Sequence, residues 1–180
     1  MLVPESFKVP NHLFTEQFNF EVLGPDFSEI DYEAVMSSKE RLRLVFPGNS
    51  TWPETDMSFE TNKNDLVRHE KEFNAREAFA YAVFNSTKCN YLGCIYINPT
   101  DQVDYDCEVY LWVRDSKVAL DETLFETVKD WLGREWPFKR CAYPGRTITW
   151  EDWAKLTAVT TNKKELNLPI YHRYCLMKLS

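Results

Sequence analysis

The stretch with the richest chemistry runs over residues 106–132, DCEVYLWVRDSKVALDETLFETVKDWL. An alternating apolar strand passes straight into an amphipathic helix. Many α/β proteins hold a phosphate at such a joint, on the bare N–H groups of the helix start. These joints usually need glycine, so that the main chain can approach the ligand. The connection here, SKVALDET, has none. Its Asp121 instead brings a carboxylate to the helix N-terminus, where it would make a good cap worth about 1 kcal/mol. A self-capped helix end would leave a phosphate with fewer donors and a like charge to face. Beside the joint stand Arg114, Ser116 and Lys117. Lys and Arg side chains can hold phosphates where backbone donors cannot.

Other chemistries find little support in the spacing. There is no Cys-x-x-Cys pair, and His172 and Cys175 lie three apart in a strand-like segment, where they face opposite sides. No metal site is expected. Cys107 or Cys141 with a distant His has no local support, and Gly-x-Ser-x-Gly and Walker patterns are absent. The five cysteines read as reduced, small core residues.

Composition sets the outer bounds. The 180 residues are 44% hydrophobic and 27% charged, which suits one folded domain with a sizeable core. A net charge of -7 without a basic run argues against nucleic acid and against anionic membranes as partners. The N-terminus does not read as a signal peptide, and no segment approaches a membrane span. A cytoplasmic location is expected.

The elements that must position these residues can be read along the chain. FNFEVLGP reads as a strand and turn. Asp26 or Ser28 would cap a helix through EIDYEAVMSSKERLRLVF. Phe59, Leu66 and Phe73 recur every seven residues, marking one stripe of a helix over residues 57–76. FAYAVFN and YLGCIYINP read as two strands of a hairpin, and EVYLWVR as a third. In that third strand Asp106, Glu108, Tyr110 and Trp112 share one face. The opposite face carries Cys107, Val109, Leu111 and Val113 and looks like core. The helix after the joint places Leu120, Leu124, Phe125, Val128, Trp131 and Leu132 on one face, and Pro137 blocks its continuation. KRCAYP is a short strand, TWEDWAKL a short helix with Thr149 as N-cap, and IYHRYCLMKL a closing strand. Residues 1–180 form one domain in this reading, with 1–17 as an N-terminal extension.

This order resembles the GCN5-related N-acetyltransferase (GNAT) family. EVYLWVR looks like the family's fourth strand, often Glu-Ile-Gly-Tyr-x-Val. YLGCIYI resembles its third strand, and YHRYCLMKLS its last. The resemblance implies an α/β (α+β) fold: a central mixed, mostly antiparallel sheet flanked by helices on both faces. It also implies a fourth and fifth strand that splay apart, expected here at Trp112 and Ala142, with coenzyme A in the gap. The family's phosphate loop, Gln/Arg-x-x-Gly-x-Gly/Ala, would fall on Val118, Asp121 and Thr123, and none matches.

The function implied is transfer of an acetyl group from acetyl-CoA to an amine of a small molecule or peptide, by a monomer or homodimer. The alternative is a GNAT-shaped binding or regulatory protein that no longer uses coenzyme A. The resemblance points to Leu111, Trp112, Val113, Arg114, Ser116 and Lys117 for the cofactor. Glu108 is the candidate general base; its plain structural role would be pairing with a nearby Arg or Lys. Tyr143 is the candidate for protonating the leaving thiolate, a displaced substitute, since the family's usual Tyr lies on the following helix; its plain role is packing against Pro144. Trp52, His69 and Tyr110 are candidates for the acceptor pocket, with a core or anchoring role as the alternative for His69 and Trp52.

Overall fold

The computed structural model describes residues 1–46 and 51–165. Its centre is a six-stranded sheet in the order β1 to β6: β1 (His12–Phe14), β2 (Phe18–Val22), β3 (Phe79–Asn85), β4 (Tyr91–Asn98), β5 (Cys107–Val113) and β6 (Cys141–Ala142). Neighbours from β1 to β5 run antiparallel, and β6 joins β5 parallel. The helices α1 (Ser28–Ser37), α2 (Lys39–Leu42) and α3 (Phe59–Asn74) cover one face, and α4 (Asp121–Glu135) covers the other. A fifth helix, α5 (Trp150–Glu165), follows β6. The expected closing strand lies outside the described residues.

Both faces of β5 are buried. Cys107, Val109, Leu111 and Val113 pack with Leu124, Phe125 and Val128 of α4. Tyr110 and Trp112, on the other face, pack with α1 to α3. The face carrying Glu108 is therefore covered rather than open, which alternation alone does not reveal because a strand covered on both sides still alternates.

Several boundaries differ from the sequence reading. The single helix expected after residue 28 is two, broken at the fully buried Ser38. That hydroxyl accepts the main-chain N–H of Asp115 at 2.9 Å, so the break ties the helical layer to the end of β5. Neither Asp26 nor Ser28 caps α1; the Ser28 hydroxyl donates to the Pro25 carbonyl of a preceding 3-10 turn. In α3 the cap is Ser58, which accepts from Thr61 N–H at 3.0 Å. Thr149 caps α5 and bonds Asp152 as expected, but the helix continues well past residue 156. Residues 1–17 are fastened down: β1 pairs with β2, Arg76 donates to the carbonyls of Pro4 and Phe7, and Tyr81 donates to that of Pro10. Cys94 and Cys107 are buried as read, whereas Cys89 is exposed in the β3–β4 hairpin.

The fork in the sheet is the feature that matters for function. β6 pairs with β5 only at Cys107–Cys141 and Glu108–Ala142. Ala142 is thus still paired, and the strands part after it, four residues earlier along β5 than Trp112. The cause is local. Tyr143 to Ile148 fold into a turn, with Gly145 at φ 77° and its N–H on the Ile148 carbonyl at 2.8 Å. An L side chain is strained at that φ, and a Cβ there would also strike the Trp150 indole at 2.7 Å. The turn carries the chain away from β5 and leaves a cleft.

Candidate active site

The cleft opens between the second half of β5 and the turn after β6. A cavity of about 170 Å³ lies in it, lined by Arg41, Tyr110, Leu111, Asp121, Arg146 and Trp150 among others. Main-chain groups of alternate residues face the same edge of a strand. Leu111 and Val113 accordingly turn their carbonyls into the cleft, and both are taken by arginines. Arg146 donates to Leu111 O at 3.3 Å, and Arg41 donates to Val113 O.

Those arginines also pair with the joint that carries no glycine. Arg41 Nε meets Asp115 Oδ1 at 2.7 Å, and Arg146 Nη1 meets Asp121 Oδ2 at 2.9 Å. Asp121 does not cap α4. The chain passes from a 3-10 segment, Asp115–Leu120, straight into the helix, so Asp121 is already its first residue and its own N–H bonds Val118 O. The Asp121 carboxylate turns to Arg146 instead, and its Oδ1 is buried with no hydrogen-bond partner among the described residues. Of the cations expected to serve the joint, Arg114 is held by Glu33 at 2.5 Å, and Lys117, like Ser116, is exposed on the 3-10 segment. Arg41 and Arg146 carried no signal in the sequence, because their proximity arises from elements more than a hundred residues apart.

At the root of the fork stands Glu108. Burial pushes its carboxyl up to about 7, against hydrogen bonds from Thr100 and Tyr110 that favour the charged form, and Asp101 adds repulsion. No salt bridge reaches Glu108 among the described residues, so the expected pairing with Arg or Lys is not found. The Tyr110 hydroxyl, itself pushed up by burial and then by the Glu108 charge, also bonds the Trp153 indole.

Around Tyr110 lies an aromatic wall. Phe46 meets Trp52 edge-on at 5.0 Å, Tyr96 at 5.8 Å and Tyr110 at 5.7 Å. His69 packs on Tyr96 at 5.2 Å and pairs with Glu72. Trp150 lies parallel to Tyr110 at 6.4 Å. The three candidates for the acceptor pocket are therefore brought together, joined by Phe46 and Tyr96, which sequence reasoning missed. Tyr143 is placed differently. It lies on the α4 side of β6, edge-on to Phe125 at 5.3 Å and bonded to the Cys141 thiol, not beside Glu108.

Beneath the wall is a buried polar cluster. Asp31 accepts from Tyr91 at 2.5 Å and from Asn62 at 2.8 Å, with Cys94 beside it. Burial pushes the Asp31 carboxyl up, while these donors and His69 pull it down. The cluster fixes α1 and α3 to β4. No group of three or more metal-ligating side chains is present among the described residues.

Comparison with solved structures places this architecture. The ribosomal-protein-S5-alanine acetyltransferase of Vibrio fischeri is similar over 83% of this chain and 81% of its own, at 14% identity and a TM-score of 0.58. A probable acetyltransferase is similar over 72% and 70%, at 16% identity and the same score. The microcin C7 self-immunity acetyltransferase MccE, in complex with acetyl-CoA and AMP, is similar over 68% and 67%, at 9% identity and a TM-score of 0.52. No family model matches the sequence, and no curated protein matches it. The likeness is one of fold, and the chain has the fold of the GNAT acetyltransferases.

Proposed function

We propose that the chain is an N-acetyltransferase that moves an acetyl group from acetyl-CoA to an amine of a small molecule or peptide, with Glu108 as general base. The observation that carries this is Glu108 itself: a half-buried carboxylate that no salt bridge reaches among the described residues, at the root of the only fork in the described sheet, its carboxyl pushed up to about 7 by burial. Structural carboxylates are normally paired or solvated. One raised toward pH 7 where two strands part, beside a tyrosine that lines the cavity, is suited to proton transfer.

The residues present fit the cofactor. The cleft edge of β5 carries the main-chain N–H groups of Leu111 and Val113, and carbonyls that each keep a second lone pair beside the arginine bond, to which an extended, amide-bearing arm can add as a strand would. When bound, acetyl-CoA supplies the activated thioester. Glu108 takes the proton from the acceptor ammonium, and the Tyr110 hydroxyl holds the carboxylate in place. Phe46, Trp52 and Tyr96 form the acceptor-side wall, which excludes water and offers ring faces to an approaching cation. Titration of acetyl-CoA, followed by coenzyme A release with a panel of small amines and peptides, tests the reading. Release with at least one acceptor, lost in Glu108→Gln while acetyl-CoA still binds, is expected. A folded protein that binds no acetyl-CoA would defeat it and favour the non-catalytic alternative.

A further inference from the structure

We infer that Arg41 and Arg146 form a side-chain clamp for the diphosphate of coenzyme A, in place of the glycine-rich backbone loop that this chain lacks. The inference rests on the acetyltransferase reading and concerns residues that the reading does not itself require.

Three observations carry it. The first is placement. Both arginines line the cavity of the fork, and they are anchored on carbonyls two residues apart on one strand edge, Leu111 and Val113. Two guanidinium groups set along one groove give an anion two binding groups, and guanidinium is the side chain best suited to bind phosphate oxygens in pairs. The second is the guarding carboxylates. Asp115 and Asp121 come from the very joint at which a glycine-rich loop would otherwise stand, and each holds one of the arginines. The carboxylates therefore occupy, within the chain, the positions that an external anion would take.

The third is the strain in that arrangement. Asp121 Oδ1 is buried and has no hydrogen-bond partner among the described residues, although buried acceptors are normally satisfied. The Arg146–Asp121 pair is itself partly exposed, with side chains 19% and 25% accessible, so it is only a modest stabiliser and leaves that oxygen uncompensated. Arg146 is further steadied over the Phe125 ring, its guanidinium carbon 5.1 Å from the centroid, so it stays in the cleft without Asp121. An entering diphosphate thus exchanges one carboxylate partner for a more highly charged one.

The test is calorimetric titration of coenzyme A and, separately, of pantetheine, which lacks the diphosphate. The proteins are the parent chain, Arg41→Met, Arg146→Met and the double variant. Each single change should weaken coenzyme A at least about tenfold without weakening pantetheine, whose strand-edge contacts the arginines share. Asp121→Asn and Asp115→Asn should act oppositely and tighten coenzyme A, an outcome that misfolding cannot imitate. Coenzyme A affinity equal to the parent's in the double variant would overturn the clamp and leave the acetyltransferase reading standing. So would a parent chain that binds coenzyme A no more tightly than pantetheine. A parent chain that binds neither coenzyme A nor acetyl-CoA would overturn both.

Discussion

Glu108 and Ala142 face each other across the last rung that β5 and β6 share. Beyond that rung the strands part, so the one carboxylate of β5 sits where the sheet opens. Thr100 and Tyr110 hydrogen-bond this carboxylate, but no salt bridge compensates its charge among the described residues. The cost of keeping it there is measurable.

In the unfolded chain the Glu108 carboxyl titrates near its ordinary value of about 4.3. In the folded protein it titrates at about 7. Between these values the folded protein holds a proton that the unfolded chain has lost. Stability is therefore greatest below the lower value and falls as pH rises through the window. Above pH 7 the full penalty applies, up to about 3.5 kcal/mol. Glu108→Gln should be more stable than the parent at pH 8 and nearly equal to it at pH 4. Urea denaturation at the two pH values measures this. Equal stabilities at pH 8 would mean that the carboxyl is not raised.

The same carboxyl sets the pH dependence of catalysis. A general base must be deprotonated, so kcat/KM should rise about tenfold per pH unit below 7 and level off above it. Glu108→Gln should cost about 10²-fold or more and abolish that limb. A limb near 7 that survives the substitution would assign the titration to another group.

The buried cluster beneath the aromatic wall has its own signature. Tyr91 donates to Asp31 at 2.5 Å, with both residues buried. Tyr91→Phe removes that donor and leaves a carboxylate oxygen short of partners, at a cost of about 1–3 kcal/mol. The loss should be larger at pH 8 than at low pH, because burial has already raised the Asp31 carboxyl and acid relieves the unpaired charge by protonating it. Thermal unfolding of both forms across pH measures the difference. A pH-independent loss would place the cost in packing alone.

What can be read from the sequence follows periodicity. The switch from period two to period 3.6 across Ser116 marks β5, the joint and α4, and the seven-residue recurrence marks α3. Glu108 is legible through the resemblance of EVYLWVR to an acetyltransferase strand, on the face it shares with Asp106, Tyr110 and Trp112. What cannot be read is contact between distant segments. Arg41 sits in a run of charged residues such as any exposed helix carries, and only the break at Ser38 brings it onto Val113. Arg146 follows a Pro-Gly turn whose direction decides whether the side chain meets solvent or Asp121. Asp121 misleads for the same reason. Its residue type favours an N-cap, but the 3-10 segment before it shifts the helix start by one position, which no composition records.

Two glycines give predictions of opposite sign. Gly93 lies in β4 opposite Val113, and a Cβ there would fall 1.9 Å from the Trp112 carbonyl oxygen. That obstacle is backbone, so it cannot swing aside as a side chain would. Gly93→Ala must push β5 away from β4 at the strand that forms the cleft wall, at a cost on the order of 3 kcal/mol. Gly133 lies on the exposed side of α4, with nothing within 4 Å of the place an alanine methyl would take. There the only change is helix propensity and reduced freedom of the unfolded chain, so Gly133→Ala should stabilise by about 0.5–1 kcal/mol. Denaturant midpoints of the two variants against the parent give both numbers. A neutral Gly93→Ala would mean that β4 and β5 are less closely apposed than the register of Gly93 and Val113 implies, and the cleft wall would then be softer than the mechanism requires.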